Sequence, residues 1–197
     1  MRFILGSQSP RRKEILSHFD LPFEQVGSDF IEESVPFQGD PAAYAQAIAN
    51  GKSDTLFPLF PQAIIVTADT VVYRNGKTYG KPRDREESFA FLRELAGQCH
   101  SVYTAMTVRH QHKIFQAVEE TRVYLNDLTD EQIWTYQENV HWADKAAGYA
   151  IQLPGSLIVN RVEGCYYNVM GLPINTLRTL LGYVGIDLWK FLKSSSH

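Results

Sequence analysis

Cysteine is almost missing: the 197 residues hold two, Cys99 and Cys165, far apart and in no Cys-x-x-Cys or Cys/His spacing. This argues against a disulfide framework or a structural zinc site and reads both as core or wall residues. An excess of one charge is missing as well. Nineteen Lys and Arg against twenty-two Asp and Glu give a formal charge of -3, too balanced for a protein that coats nucleic acid through counterion release. A polyanionic ligand must therefore meet a local basic cluster. No apolar run reaches membrane-spanning length, and Met1-Arg2-Phe3-Ile4-Leu5-Gly6 lacks the long apolar stretch of a secretory leader. The expectation is a cytoplasmic protein with no nucleic-acid and no membrane partner. Familiar site motifs are also lacking. Gly51-Lys52-Ser53 ends like a Walker A loop, but Gln46 stands where that loop needs glycine, and G-x-G-x-x-G, G-x-S-x-G and H-E-x-x-H do not occur. His110 and His112 alternate with no third ligand nearby in sequence and read as a solvated turn.

What is present is ordinary globular composition, 44% hydrophobic and 21% charged, with a chain long enough to bury its own core. One domain over residues 1–197 is the expectation. Phe3-Ile4-Leu5 reads as a buried strand, followed by a helix from Pro10 to Phe19 with proline near its first position. Pro22 to Val26 reads as a second strand. Asp40-Pro41 opens a helix with Tyr44, Ala45, Ile48 and Ala49 on one face, whose later part delivers Lys52. Ala63 to Ala68 is a near-continuous apolar run, expected of a strand covered on both faces, and the reading ends it at Asp69. Val71 to Tyr73 and Lys77 to Tyr79 flank Asn75-Gly76, a tight-hairpin signal. A helix from Asp84 to Leu95 stops at Gly97. Val102 to Val108 and Lys113 to Leu125 pair through Arg109 to His112. A helix follows with a capping box at Thr129 and Gln132, then a strand from Leu157 to Val162 and a helix from Pro173 to Tyr183.

Three clusters carry chemistry. Ser7, Ser9, Arg11 and Arg12 place two hydroxyls and two guanidiniums between a strand and a helix, where backbone N–H groups and bidentate arginines suit a phosphate. An ordinary capped helix with solvated arginines fits that stretch too, although two basic residues in a first turn oppose the helix dipole unless an anion offsets them. Glu32-Glu33, Lys52, Asp69 and Lys81 sit at element ends. Their carboxylates suit Mg²⁺ and a water-activating base, and their lysines a triphosphate; surface charge is the alternative for Glu32 and Lys52. Asp69 closes an apolar run, which is costly without partners. The third cluster is Asp144 to Gln152 with Glu163 to Pro173. Its small residues, aromatics and one amide describe a flat pocket, in which Gln152 offers a donor and an acceptor together. Uracil, thymine and guanine all present a matching edge, and a tight-packing loop with core tyrosines remains the plain alternative.

Taken in order, Ser7-Gln8-Ser9-Pro10-Arg11-Arg12, Glu33, Lys52, Ala68-Asp69-Thr70-Val71-Val72, Gly80-Lys81-Pro82, Asp144-Lys145-Ala146, Gly148-Tyr149, Ile151-Gln152 and Gly171-Leu172-Pro173 resemble the Maf family over nearly the whole chain. The resemblance implies an α/β fold with a long curved mixed sheet flanked by helices, two lobes around a central cleft, and a homodimer. It implies nucleoside triphosphate pyrophosphatase activity with a divalent metal, Mg²⁺ or Mn²⁺. The D-K-A form followed by G-x-x-I-Q resembles the branch acting on dTTP and UTP. Carried over by position, Asp69 matches the general base, Arg11, Thr70 and Gln152 match positions tied to substrate choice, and Arg12, Glu33, Lys52 and Lys81 match phosphate or metal contacts. From the residues themselves, Asp69 and Glu33 are the expected metal ligands, and Ser7 and Ser9 are expected to bind the substrate from the turn. Ala147 stands where the family often has Gly, Cys165 where Ser is common, and Gly6 where Ala is usual. Two alternatives accompany this expectation: a nucleotide-binding regulator of cell division that does not depend on hydrolysis, and a pyrophosphatase preferring 7-methyl-GTP.

Overall fold

The apolar run Phe3-Ile4-Leu5 is buried at every position, as a strand covered on both faces must be. In the computed structural model, which describes residues 2–193, this run forms β1 (Phe3–Gly6). It lies between β2 (Glu24–Val26) and β3 (Ile64–Arg74) and is parallel to both. The sheet continues through β5 (Cys99–His110), β6 (Lys113–Leu125) and β7 (Val159–Glu163), in the order β2-β1-β3-β5-β6-β7. Short β4 (Lys77–Tyr79) returns antiparallel on β3 through Asn75 and Gly76, both at positive φ as the sequence requires of that turn. The helices are α1 (Pro10–Leu16), α2 (Pro41–Leu56), α3 (Arg85–Leu95), α4 (Asp130–Asn139), α5 (Tyr166–Val169) and α6 (Ile174–Tyr183). The fold is mixed α/β, with a seven-stranded sheet and helices, as expected from the sequence.

Helix starts follow local chemistry. Asp40 accepts from the Ala42 and Ala43 N–H groups ahead of Pro41, Asp84 accepts from Glu87 N–H, and Thr129 with Gln132 closes a capping box.

Two compact units make up the chain. The first contains the residues up to Asp69, Thr104–Glu119 and those from Gly171 onward. Its core includes Ile4, Leu56, Ala63 and Ile65, with Val26, Phe57 and Phe60 packed on it. The second contains Thr70–Tyr103 and Glu120–Met170. Leu92, Leu95, Val102, Val123, Ile133 and Tyr149 belong to its core. Strands β3, β5 and β6 contribute residues to both.

Several element boundaries differ from the sequence reading. Asp69 does not end a strand, because β3 runs unbroken from Ile64 to Arg74. The buried carboxylate meets a lysine, so its charge does not force the backbone out of the sheet. Helix α1 stops at Leu16, where the Ser17 N–H and hydroxyl both bond Lys13 O. Arg109 and His110 stay in β5, leaving Gln111-His112 as the turn, with Gln111 at φ 55°. Leu157 belongs to a single 3₁₀ turn, with β7 starting at Val159. Cys99 and Cys165 are free and half-buried.

Candidate functional site

Helix α1 has only seven residues, so its dipole is a minor attraction for an anion and the side chains around its start matter more. Ser9 caps it, accepting weakly from Arg12 N–H at 3.4 Å. Ser7 Oγ accepts from Ser9 N–H at 3.2 Å and from Arg12 Nη1 at 3.1 Å. Gln25 Nε2 donates to the carbonyls of Ser7 and Ser9, at 2.8 and 3.2 Å, and so fixes the turn from β2. Arg12 is buried, and its Nε donates to Gly171 O at 2.7 Å. Burial lowers the Arg12 pKa, while Asp69 and Glu32 pull it back up. Arg12 thus organises the turn as well as charging it, whereas Arg11 is half-buried.

The turn can lie this close to β3 and α2 because Gly6 has no side chain. A Cβ there would come within 2.5 Å of Leu56 Cδ1 and 2.6 Å of Thr67 Cγ2. Thr67 donates its hydroxyl to Ala49 O at 2.7 Å and thereby ties β3 to α2. Two residues beyond Thr67 and three beyond Ala49, Asp69 and Lys52 meet. Lys52 Nζ lies 2.8 Å from Asp69 Oδ1 and 2.8 Å from Glu32 Oε1. The Lys52 and Asp69 side chains are 11% and 10% exposed, against 47% for Glu32. This pair therefore sits where Coulomb attraction is poorly screened and desolvation is costly. Tyr44, half-buried on α2, has its pKa raised by burial first and then by Asp69, Glu32 and Glu33. The charges of those three carboxylates thus all act on this phenol.

The first unit contains Ser7, Ser9, Arg11, Arg12, Glu33, Lys52 and Asp69, of which Ser7, Ser9 and Arg12 are bonded to one another and Lys52 to Asp69. It makes Glu32 the second partner of Lys52 and adds two residues that the sequence clusters lacked: Tyr44, on which the carboxylate charges act, and Gln25 behind the turn. Thr70, the next residue on β3, is counted with the second unit, as are Lys81 and Gln152. There, Gly80 accepts from Ala147 N–H at 2.9 Å, so the backbone preceding exposed Lys81 is bonded to the Asp144 to Gln152 segment. Within that segment Ala147 and Gly148 both have positive φ, 57° and 72°. Gln152 is half-buried, and its carbonyl accepts from Gly155 N–H. The loop is therefore a constrained 3₁₀ turn followed by an amide; Ala147 and Tyr149 are core residues of their unit, as the packing alternative required, but Tyr166 and Tyr167 are exposed.

The model of the Maf-like protein family matches residues 2–184. A dTTP/UTP pyrophosphatase from Chlamydia caviae is 44% identical over 192 residues, covering 97% of this chain and 98% of that protein. A dTTP/UTP pyrophosphatase from Chlamydia trachomatis serovar L2 is 39% identical over the same span and coverage. A nucleoside triphosphate pyrophosphatase from Chlamydia muridarum is 38% identical, again over 97% of this chain.

Proposed function

Because the chain belongs to the Maf-like family, we propose that it is a nucleoside triphosphate pyrophosphatase that hydrolyses dTTP and UTP to the monophosphate and pyrophosphate, clearing nucleotides from the cellular pool. The observation that carries this reading is Lys52 held between Asp69 and Glu32, in the same unit as the Ser7 to Arg12 turn. Basic groups for phosphate and carboxylates for proton and metal are then supplied together.

In this mechanism a water oxygen attacks the α phosphorus, the bond from that phosphorus to the α–β bridging oxygen breaks, and pyrophosphate departs. Asp69 accepts the water's proton, a step worth about 10²–10⁴-fold. Lys52, Arg11, Arg12 and Lys81 balance the negative charge of the phosphates, and Ser7 and Ser9 contribute hydroxyls. Lys52 leaves its ion pairs for the substrate's oxygens, which frees Asp69 to act as a base.

Magnesium keeps several waters and takes one or two carboxylates beside substrate phosphates. Asp69 and Glu32, each 2.8 Å from Lys52 Nζ and with Glu33 next in the chain, fit that demand, and among the described residues no group of three or more His, Cys, Asp and Glu could hold a metal ion by itself. Asp69 and Glu33 would hold Mg²⁺ or Mn²⁺, which when bound supplies charge neutralisation across the phosphates. Gln152, with Arg11 and Thr70, selects the base: its amide offers the donor and acceptor that a uracil or thymine edge requires. Homodimer assembly, an expectation of the family resemblance, and a cytoplasmic setting, an expectation from the sequence's composition and its start, complete the proposal.

The test is a panel of canonical and 7-methylated triphosphates with Mg²⁺ or Mn²⁺, scored for monophosphate and pyrophosphate. The reading expects dTTP and UTP to lead. Preferential turnover of 7-methyl-GTP overturns the substrate choice, and tight binding of dTTP without turnover overturns the reaction.

A further inference from the structure

Tyr149 lies in the core of the second unit, 6% exposed, with its hydroxyl 2.6 Å from Nε2 of His100, which is 2% exposed. The two rings meet edge to face, with centroids 5.4 Å apart. Burial holds the imidazole neutral, its pKa pushed down to about 4. His100 Nδ1 is buried with no hydrogen-bond partner. The imidazole and the phenol can make this bond in either tautomer, Nε2 donating to the hydroxyl or accepting from it.

This bond is one of four that fix consecutive residues of the same short segment. Ala147 N–H donates to Gly80 O at 2.9 Å, Gly148 N–H to Lys145 O at 3.0 Å, and Ala150 N–H to the Tyr136 hydroxyl at 3.0 Å. Gly148 sits so close to Ser88 that a Cβ would fall 2.3 Å from its Oγ. The backbone is thus held at Ala147, Gly148 and Ala150, while Tyr149 is anchored through its side chain. Gln152 follows two residues after this clamp.

We propose that His100 is a positioning residue for nucleotide selection: through Tyr149 it holds residues 147–150 in the one arrangement that presents Gln152 to the nucleobase. The inference rests on the pyrophosphatase reading for the role of Gln152. A buried His–Tyr pair that served packing alone would lower stability and leave selectivity unchanged. Positioning instead predicts a change in binding and in base preference, with the chemical step far less affected.

The experiment compares wild type with His100→Leu, Tyr149→Phe and His100→Gln, whose amide reaches the place of Nε2. KM and kcat are measured for UTP and CTP well below each variant's unfolding temperature, and UMP affinity by calorimetry. Losing one net hydrogen bond corresponds to about a 5-fold effect. His100→Leu and Tyr149→Phe are expected to raise KM for UTP and weaken UMP binding by about that factor, to shrink the UTP-over-CTP preference, and to change kcat less than KM. His100→Gln is expected to recover most of the loss. Unchanged KM and preference in the Leu and Phe variants, whatever their unfolding temperatures, overturn the proposal, as does a fall in kcat at constant KM. If His100→Leu does not fold, Tyr149→Phe decides alone by the same criteria. A wild type that binds UMP but cleaves no triphosphate removes the pyrophosphatase reading, and UMP affinity then decides on His100. A wild type that neither cleaves triphosphates nor binds UMP overturns both.

Discussion

Lys52 has carboxylates on two sides at the same 2.8 Å, yet the two contacts are unequal. Asp69 is nearly buried, and removing Lys52 takes away the cation bonded to it and leaves Arg12 as the charge still acting on it; breaking a buried pair costs about 3–5 kcal/mol. Glu32 is half exposed, and such pairs contribute about 0–1 kcal/mol. Lys52→Met should therefore lower unfolding free energy by about 3 kcal/mol or more, and Glu32→Gln by less than about 1 kcal/mol, as read by urea titration. Equal losses would mean that burial does not rank these contacts. Ala147 presents a different balance, because its φ of 57° costs an L-residue about 1–2 kcal/mol, against about 0.8 kcal/mol for its buried methyl group. Ala147→Gly should be neutral to stabilising by up to about 1 kcal/mol in the same titration. A clear loss of stability would show that the methyl's packing outweighs the strain.

Among the elements, β1 packs against Leu56 of α2 and Thr67 of β3 only because residue 6 is glycine. Overpacking costs about 1–3 kcal/mol, and Gly6→Ala belongs toward the upper end, because of its two close neighbours only the Leu56 tip can turn aside. Thr67 cannot, being β-branched and bonded to Ala49 O. Thr67→Ser in the Gly6→Ala background should restore part of the loss in thermal melts, and no recovery would place the clash elsewhere. Most of this scale was legible in the sequence. The opening strand, the Ser9 and Pro10 helix start and the Asn75-Gly76 hairpin are encoded within a few residues of themselves. What was misread depends on distant partners. Asp69 looked like a strand end because Lys52, which makes its charge tolerable inside β3, is seventeen positions away. Helix α5 has four residues, too few for a period to register. The paired Lys52 and Asp69, the basic turn and the amide of Gln152 stood out by residue type. Gln25, Tyr44 and His100 did not, since a single polar residue in a strand or helix has no spacing to mark it.

At the scale of the whole molecule, acid stability follows from His100. Its folded pKa of about 4 lies below the ordinary 6.5, so on acidification the unfolded chain takes up this proton first. Its contribution is complete above pH 6.5, falls as the pH drops and is gone by about pH 4, a total of about 3 kcal/mol. Urea midpoints should therefore decline over that window, and His100→Gln should flatten the decline; an identical slope in the variant would refute the assignment. The central claim is that Asp69 takes a proton from water during cleavage of the triphosphate. Its most direct test is pyrophosphate release from dTTP by Asp69→Asn, in which the amide still gives Lys52 an acceptor. A fall of about 10²-fold or more, with UMP binding and folding retained, is the predicted result, and wild-type turnover in that variant would contradict the account.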